Sequence, residues 1–154
     1  MQMSPTIFST LVIAMVAVAS AEAAPAISAC TLLTKAELRP FIKNRVFDQF
    51  PAEEDRVGTG TGCNYAGVVI QLDPFPFSVV ESTWSKEKGN FESVPGLGDA
   101  AYFHRNARAE AAEIAVRVGQ RVFTAQVDLD QGESMDAAKT RAIGLARVAA
   151  AKLR

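Results

Sequence analysis

The clearest pattern of apolar and polar positions runs through residues 113–129. Ile114, Val116 and Val118 alternate with Ala115 and Arg117, and beyond Gly119-Gln120 the residues Phe123, Ala125, Val127 and Leu129 alternate with Thr124, Gln126 and Asp128. Period-two alternation marks strands with one apolar face. A glycine at the first central position of a two-residue connection is the chemistry of a type II′ hairpin turn. Pairing Val118 with Arg121 across that turn sets Val116 opposite Phe123 and Ile114 opposite Ala125, so both apolar sets share a face. The segment therefore predicts an antiparallel, half-buried hairpin.

The rest of the chain is weaker but orderly. Thr34 and Glu37 form a capping box, with Leu33 and Leu38 placed as its hydrophobic staple, so a helix starts at Thr34 and is ended or kinked by Pro40. Residues 48–62, with an acidic trio and three glycines, read as a solvated loop. Residues 65–72 and 77–84 read as strands joined by the proline-bearing linker Asp73-Pro74-Phe75-Pro76. Polar residues 85–93 suit a surface loop or short helix, and 100–105 a further strand. In residues 134–153, Met135, Ala138, Ala142, Leu145, Ala146, Ala149 and Leu153 form one stripe at helical spacing. Its cationic residues, among them Lys139, Arg141 and Lys152, read as a solvated outer face. The expected architecture is α+β: an antiparallel sheet of about five strands with an N-terminal and a C-terminal helix packed on one face.

The N-terminus has its own pattern. Residues 7–19 are small and apolar apart from Ser9 and Thr10, too short a run to cross a bilayer as a helix. Ala19-Ser20-Ala21 and Ala21-Glu22-Ala23 follow, both suited to leader cleavage, so residues 1–23 read as a secretory signal peptide, without its usual basic start. An uncleaved apolar anchor is the other possibility. Residues 24–29 then form a short linker and 30–154 a single domain of ordinary size. No later stretch is long enough to span a membrane.

An exported chain with two cysteines suggests one disulfide between Cys30 and Cys63. Two alternatives remain open on sequence. Ile27-Ser28-Ala29-Cys30 looks like a lipobox, whose cysteine would be acylated, although Glu22 and Pro25 separate it from the apolar run. Zinc is the other, but two thiols and a lone histidine fall short of a structural site.

Charge and motifs mostly exclude. The formal net charge is −1, which disfavours nucleic acid as a partner. Gly96-Leu97-Gly98-Asp99-Ala100-Ala101 matches a dinucleotide fingerprint in letters only, since it leads into a strand rather than a helix. Residues 128–133 lack the glycine position and terminal glutamate of a calcium loop. His104, the only histidine, reads as a surface or edge-strand residue rather than a general base, and there is no nucleophile-elbow motif. The residues thus offer no catalytic, cofactor or metal set. Phe75, Phe77 and Trp84 are the candidate binding surface, weighed against ordinary packing.

Several fragments appear together in an order of their own: Cys30-Thr31-Leu32-Leu33-Thr34-Lys35-Ala36-Glu37, Cys63-Asn64-Tyr65, Val94-Pro95-Gly96-Leu97-Gly98-Asp99-Ala100-Ala101-Tyr102, a V-x-V-G turn and an alanine-rich last helix. This order resembles small secreted or lipid-anchored bacterial domains of unknown function, best known from actinobacterial lipoproteins, and the extracellular sensor-like domain of a mycobacterial Ser/Thr kinase. The resemblance implies a Cys30–Cys63 pairing and brings no catalytic residues; Pro40 departs from its pattern. The function expected is an exported, non-catalytic envelope module, periplasmic or secreted, that binds a protein partner or a small apolar ligand. The alternative is a periplasmic hydrolase with an unrecognised site, for instance one using His104 with an unmarked nucleophile.

Overall fold

The computed structural model describes residues 27–44 and 47–154. The leader expected at residues 1–23 lies outside the described residues.

The N-terminal part is a pair of single helical turns, α1 (Ala29–Leu32) and α2 (Lys35–Leu38). Thr34 Oγ1 accepts from the Glu37 amide at 3.3 Å, and Glu37 Oε2 accepts from the Thr34 amide at 2.9 Å. Those are the two bonds of a capping box. Leu33 and Leu38 are buried. Pro40 does end the α-helix: a 3-10 turn, Arg39–Phe41, follows directly. Proline supplies no amide for the helical ladder, so the chain tightens and leaves.

Seven strands form one antiparallel sheet in the order β1-β2-β3-β7-β6-β5-β4. They are β1 (Glu53–Val57), β2 (Gly60–Tyr65), β3 (Val68–Leu72), β4 (Phe91–Ser93), β5 (Ala100–Asn106), β6 (Ala111–Val118) and β7 (Arg121–Asp128). The β6–β7 hairpin has the register its alternation predicts: Val118 faces Arg121, Val116 faces Phe123 and Ile114 faces Ala125. Gly119 supplies the left-handed backbone, φ 59°, that the first turn position demands.

Three expectations are corrected. The sheet has seven strands rather than about five. Part of the difference is β1, which lies in the stretch read as a loop. Glu53–Arg56 is exposed on both sides, so no apolar period marks it. Gly60 permits its hairpin: a side chain there would meet the Leu72 carbonyl oxygen at 1.8 Å. The strand read at 65–72 is divided by a tight turn at Ala66-Gly67, and residues 91–93 add a short edge strand.

The second correction concerns residues 77–84. They form α3 (Phe77–Trp84), a helix. Its β-branched Val79-Val80 pair suggests a strand, but Phe77, Val80 and Trp84 recur at helical spacing and face one way. The third follows from it. The N-terminal turns and α4 (Met135–Lys152) do share one face, as expected, but α3 packs on the opposite face, so helices do not cover one face only.

Helix α4 starts with the Ser134 side chain accepting from the Ala137 amide. Its stripe of Ala138, Ala142, Leu145, Ala146 and Ala149 is buried, and Met135 and Leu153 pack at its ends. Small residues let the helix lie close to Ile70, Ile114, Val116, Phe123 and Val127 in one continuous cluster. Its cations are not simply solvated. Lys139 pairs with Glu92, Arg141 with Glu133, and Lys152 Nζ lies 2.7 Å from Glu37 Oε1.

Cys30 and Cys63 form a disulfide with their Cα atoms 4.9 Å apart. It ties α1 to β2, beside a second link in which the Ala29 amide donates to Thr61 Oγ1 at 2.8 Å. Neither sulfur remains for a zinc ion or a lipid thioether. Bridging positions 33 apart stabilises by about 3–4 kcal/mol on the chain-entropy account.

Candidate functional site

Residues that alternate away from α4 point to the opposite face of the sheet, and the register sorts them into cross-strand rows. One row runs Val69, Gln126, Glu113, His104 and the next runs Gln71, Thr124, Ala115, Tyr102. On their own strands Glu113, Thr124 and Gln126 look like solvent-facing positions. Helix α3 changes that by crossing over the rows.

Asp73 fixes where α3 begins. Its backbone is left-handed, φ 50°. Its carboxylate accepts from the Val122 amide at 2.8 Å and from Arg121 Nε at 2.5 Å. These charge-assisted bonds offset the strain of a non-glycine residue in that conformation. Pro74, Phe75 and Pro76 then lift the chain off the end of β3, and Gly58 allows the lift. A side chain at Gly58 would meet the Pro74 carbonyl oxygen at 2.0 Å and the Phe75 ring at 2.8 Å.

One half of this face is closed by aromatic packing. Phe77 stacks on Tyr102 with ring centroids 5.3 Å apart, and Phe91 leans on Tyr102 at 4.7 Å. Val80 and Phe77 bury Ala115 and Val122. The Tyr102 hydroxyl donates to Glu81 Oε1 of α3 at 2.6 Å, and that bond raises the phenol's pKa above its ordinary value of 10.0.

The other half stays open. Between α3 and strands β3, β7 and β6 lies a cavity of about 350 Å³. Phe75, Val79, Val80 and Trp84 supply its apolar side; Gln71, Thr124, Gln126 and Glu113 supply its polar floor. Phe75 and Val79 are 43 % and 44 % exposed, so apolar surface meets solvent at the edge of the groove. Thr124 Oγ1 donates to Gln71 Oε1 at 3.1 Å, which orients that amide across the floor.

His104 lies under Trp84, their rings stacked with centroids 5.0 Å apart. It is 4 % exposed, which corrects the surface or edge-strand placement: β4 covers β5, and Trp84 covers the imidazole. Nδ1 lies 2.9 Å from Glu113 Oε2, and Nε2 lies 3.0 Å from Glu87 Oε2. Glu113 is fixed from its other oxygen by Asn106 Nδ2 at 2.7 Å. Both ring nitrogens are thus engaged with carboxylates. This is the wiring of a positioning residue, which joins the segment after α3 to the sheet, more than that of a free base.

Of the three aromatics singled out on sequence, Phe75 and Trp84 line the cavity, whereas Phe77 is buried beside it against Tyr102. The polar floor and His104 escape a sequence reading because only a helix over that face brings them together. The available signal was the spacing of Phe77, Val80 and Trp84, three and four residues apart. Among the described residues no cluster of three or more His, Cys, Asp or Glu side chains is placed to hold a metal ion, and no helix is long and apolar enough to cross a membrane. Comparison with family models, curated proteins and solved structures finds no match to this chain.

Proposed function

We propose that this chain is an exported, disulfide-tied binding module and that its ligand is a small molecule held in the groove between α3 and the sheet. The observation that carries the proposal is the cavity: a pocket-sized space with an apolar side and an ordered polar floor is the usual form of a small-molecule site. The protein-partner version has less support, since the exposed apolar surface at Phe75 and Val79 belongs to the rim of that same groove. The disulfide fits a periplasmic or extracellular location. The leader-like pattern of residues 1–23 points the same way. The module is proposed to be non-catalytic, because the imidazole on which a hydrolase would rely is bracketed by Glu113 and Glu87.

Trp84 is the only tryptophan, and it lines the groove, so the site reports on itself. Titration with N-phenylnaphthylamine, an uncharged apolar fluorophore, is expected to quench Trp84 and saturate at one site. Thr83→Phe, which narrows the groove from an exposed position, should abolish that binding while leaving the far-ultraviolet circular dichroism unchanged. Equal binding by both proteins would remove the groove as the site.

A further inference from the structure

The charge inside the groove narrows the ligand, on the proposal that the groove is the binding site. Among the described residues that line the cavity, Glu113 is the only charged one. Behind it, His104 stands between Glu113 and Glu87. With both carboxylates ionised, two negative charges face at most one imidazolium, so the trio carries at least one net negative charge in either protonation state of the ring.

That carboxylate is held but not saturated. Its two oxygens take one hydrogen bond each, from His104 and from Asn106. A carboxylate offers about four acceptor positions, so acceptor capacity remains at the groove. The Glu113 side chain is only 16 % exposed. In such a setting an added anion meets like charge with little solvent between, whereas an added cation gains a charge-assisted bond. The sheet-facing side of the Trp84 ring is already stacked on His104, so the attraction for a cation rests on Glu113. Beyond the charged point the cavity turns apolar along Val79, Val80 and Phe75, in keeping with a ligand that carries its charge at one end.

We infer that the groove selects a cationic amphiphile: a small molecule with one protonated amine, seated at Glu113, and an apolar body lying under α3. Anionic amphiphiles are rejected by the same carboxylate.

The test uses three probes with one body, phenylbutylamine, phenylbutanol and phenylbutyrate, each titrated against the full-length exported protein with Trp84 fluorescence as readout. The amine should bind at least about tenfold more tightly than the alcohol, and the carboxylate more weakly than either. In Glu113→Gln the amine should lose its advantage and bind no more tightly than the alcohol does to the same variant. If that variant does not fold, the unaltered protein still decides the matter, because the ranking of amine, alcohol and carboxylate is read on it directly. Amine and alcohol of equal affinity, or tightest binding by the carboxylate, would overturn the cationic inference and leave the groove standing. Failure of all three to bind would overturn both.

Discussion

The two faces of the sheet are built from the same strands and serve different ends. On the α4 side the alternate residues of β3 and β6, with Phe123, Ala125 and Val127 of β7, are apolar, and the helix answers with alanines and Leu145 in one continuous apolar cluster. On the α3 side the alternate residues include Gln71, Glu113, Thr124 and Gln126, and a helix of 8 residues covers only part of that face. An 18-residue helix seals one face; the short one leaves space on the other. The difference suggests a division in which one face supplies stability and the other a site, since burying polar groups without a full set of partners is unfavourable.

The contrast can be broken most forcefully in the two cores. Phe123→Ala removes a fully buried ring from under α4 and should destabilise by about 3–5 kcal/mol. Phe77→Ala, the same deletion on the α3 side at a less completely buried ring, should cost less, about 2–3 kcal/mol. Urea unfolding of the two variants measures both. Equal losses would mean that the α3 face is as tightly packed as the α4 face.

Arg141 ties α4 to the rest of its side. It donates to the Phe41 carbonyl at 2.7 Å and to the Asp128 carbonyl at 2.8 Å, and it pairs with Glu133, whose side chain is 3 % exposed. Arg141→Met takes one of its two cationic partners from that carboxylate, leaving Lys43 and the Asp130 amide, and should destabilise by about 2 kcal/mol. A loss below about 1 kcal/mol, again in urea, would show the cluster to be superficial.

The same side should yield first to acid. Burial opposes ionisation of Glu133, but bonds from Arg141, Lys43 and the Asp130 amide prevail and hold its pKa at about 2, below the ordinary 4.5. The bond from Lys152, with those from Thr34, holds Glu37 at about 2 as well. Both carboxyls are depressed by folding, so their contribution is complete above pH 4.5 and disappears as the pH falls toward 2. Both also anchor α4, Glu133 through Arg141 and Glu37 through Lys152. Amide exchange between those pH values should therefore loosen α4 and the α2 turn before the β6–β7 hairpin. Uniform loosening would contradict the assignment.

The smallest expected effect lies in the groove floor. Thr124→Val keeps the shape, removes the hydroxyl bond to Gln71, and should change stability by no more than about 0.5 kcal/mol. Ligand affinity should nonetheless change, because the Gln71 amide loses its orienting partner. Unchanged affinity would take Thr124 out of the site.

The sequence discloses these two faces unequally. The α4 side is legible because strong periods and explicit caps agree there: the hairpin register, the Thr34–Glu37 box, the alanine stripe and the cysteine pair all appear as read. The α3 side is not. Val79 and Val80 favour a strand by local preference, and the fold overrides that preference through Pro76 at the helix start and the apolar spacing of Phe77, Val80 and Trp84. Strand β1 leaves no apolar trace because neither of its sides is buried. His104 carries no mark in the chain of the tryptophan that covers it, since Trp84 reaches it only once α3 is formed and placed.

The most direct measurement is a map of backbone amide shifts in isotope-labelled protein during titration with phenylbutanol. The account predicts that saturable shifts gather on α3 and on Val69, Gln71, Glu113, Thr124 and Gln126, while α4 stays unmoved. Shifts centred on α4, or none at saturating probe, would contradict it.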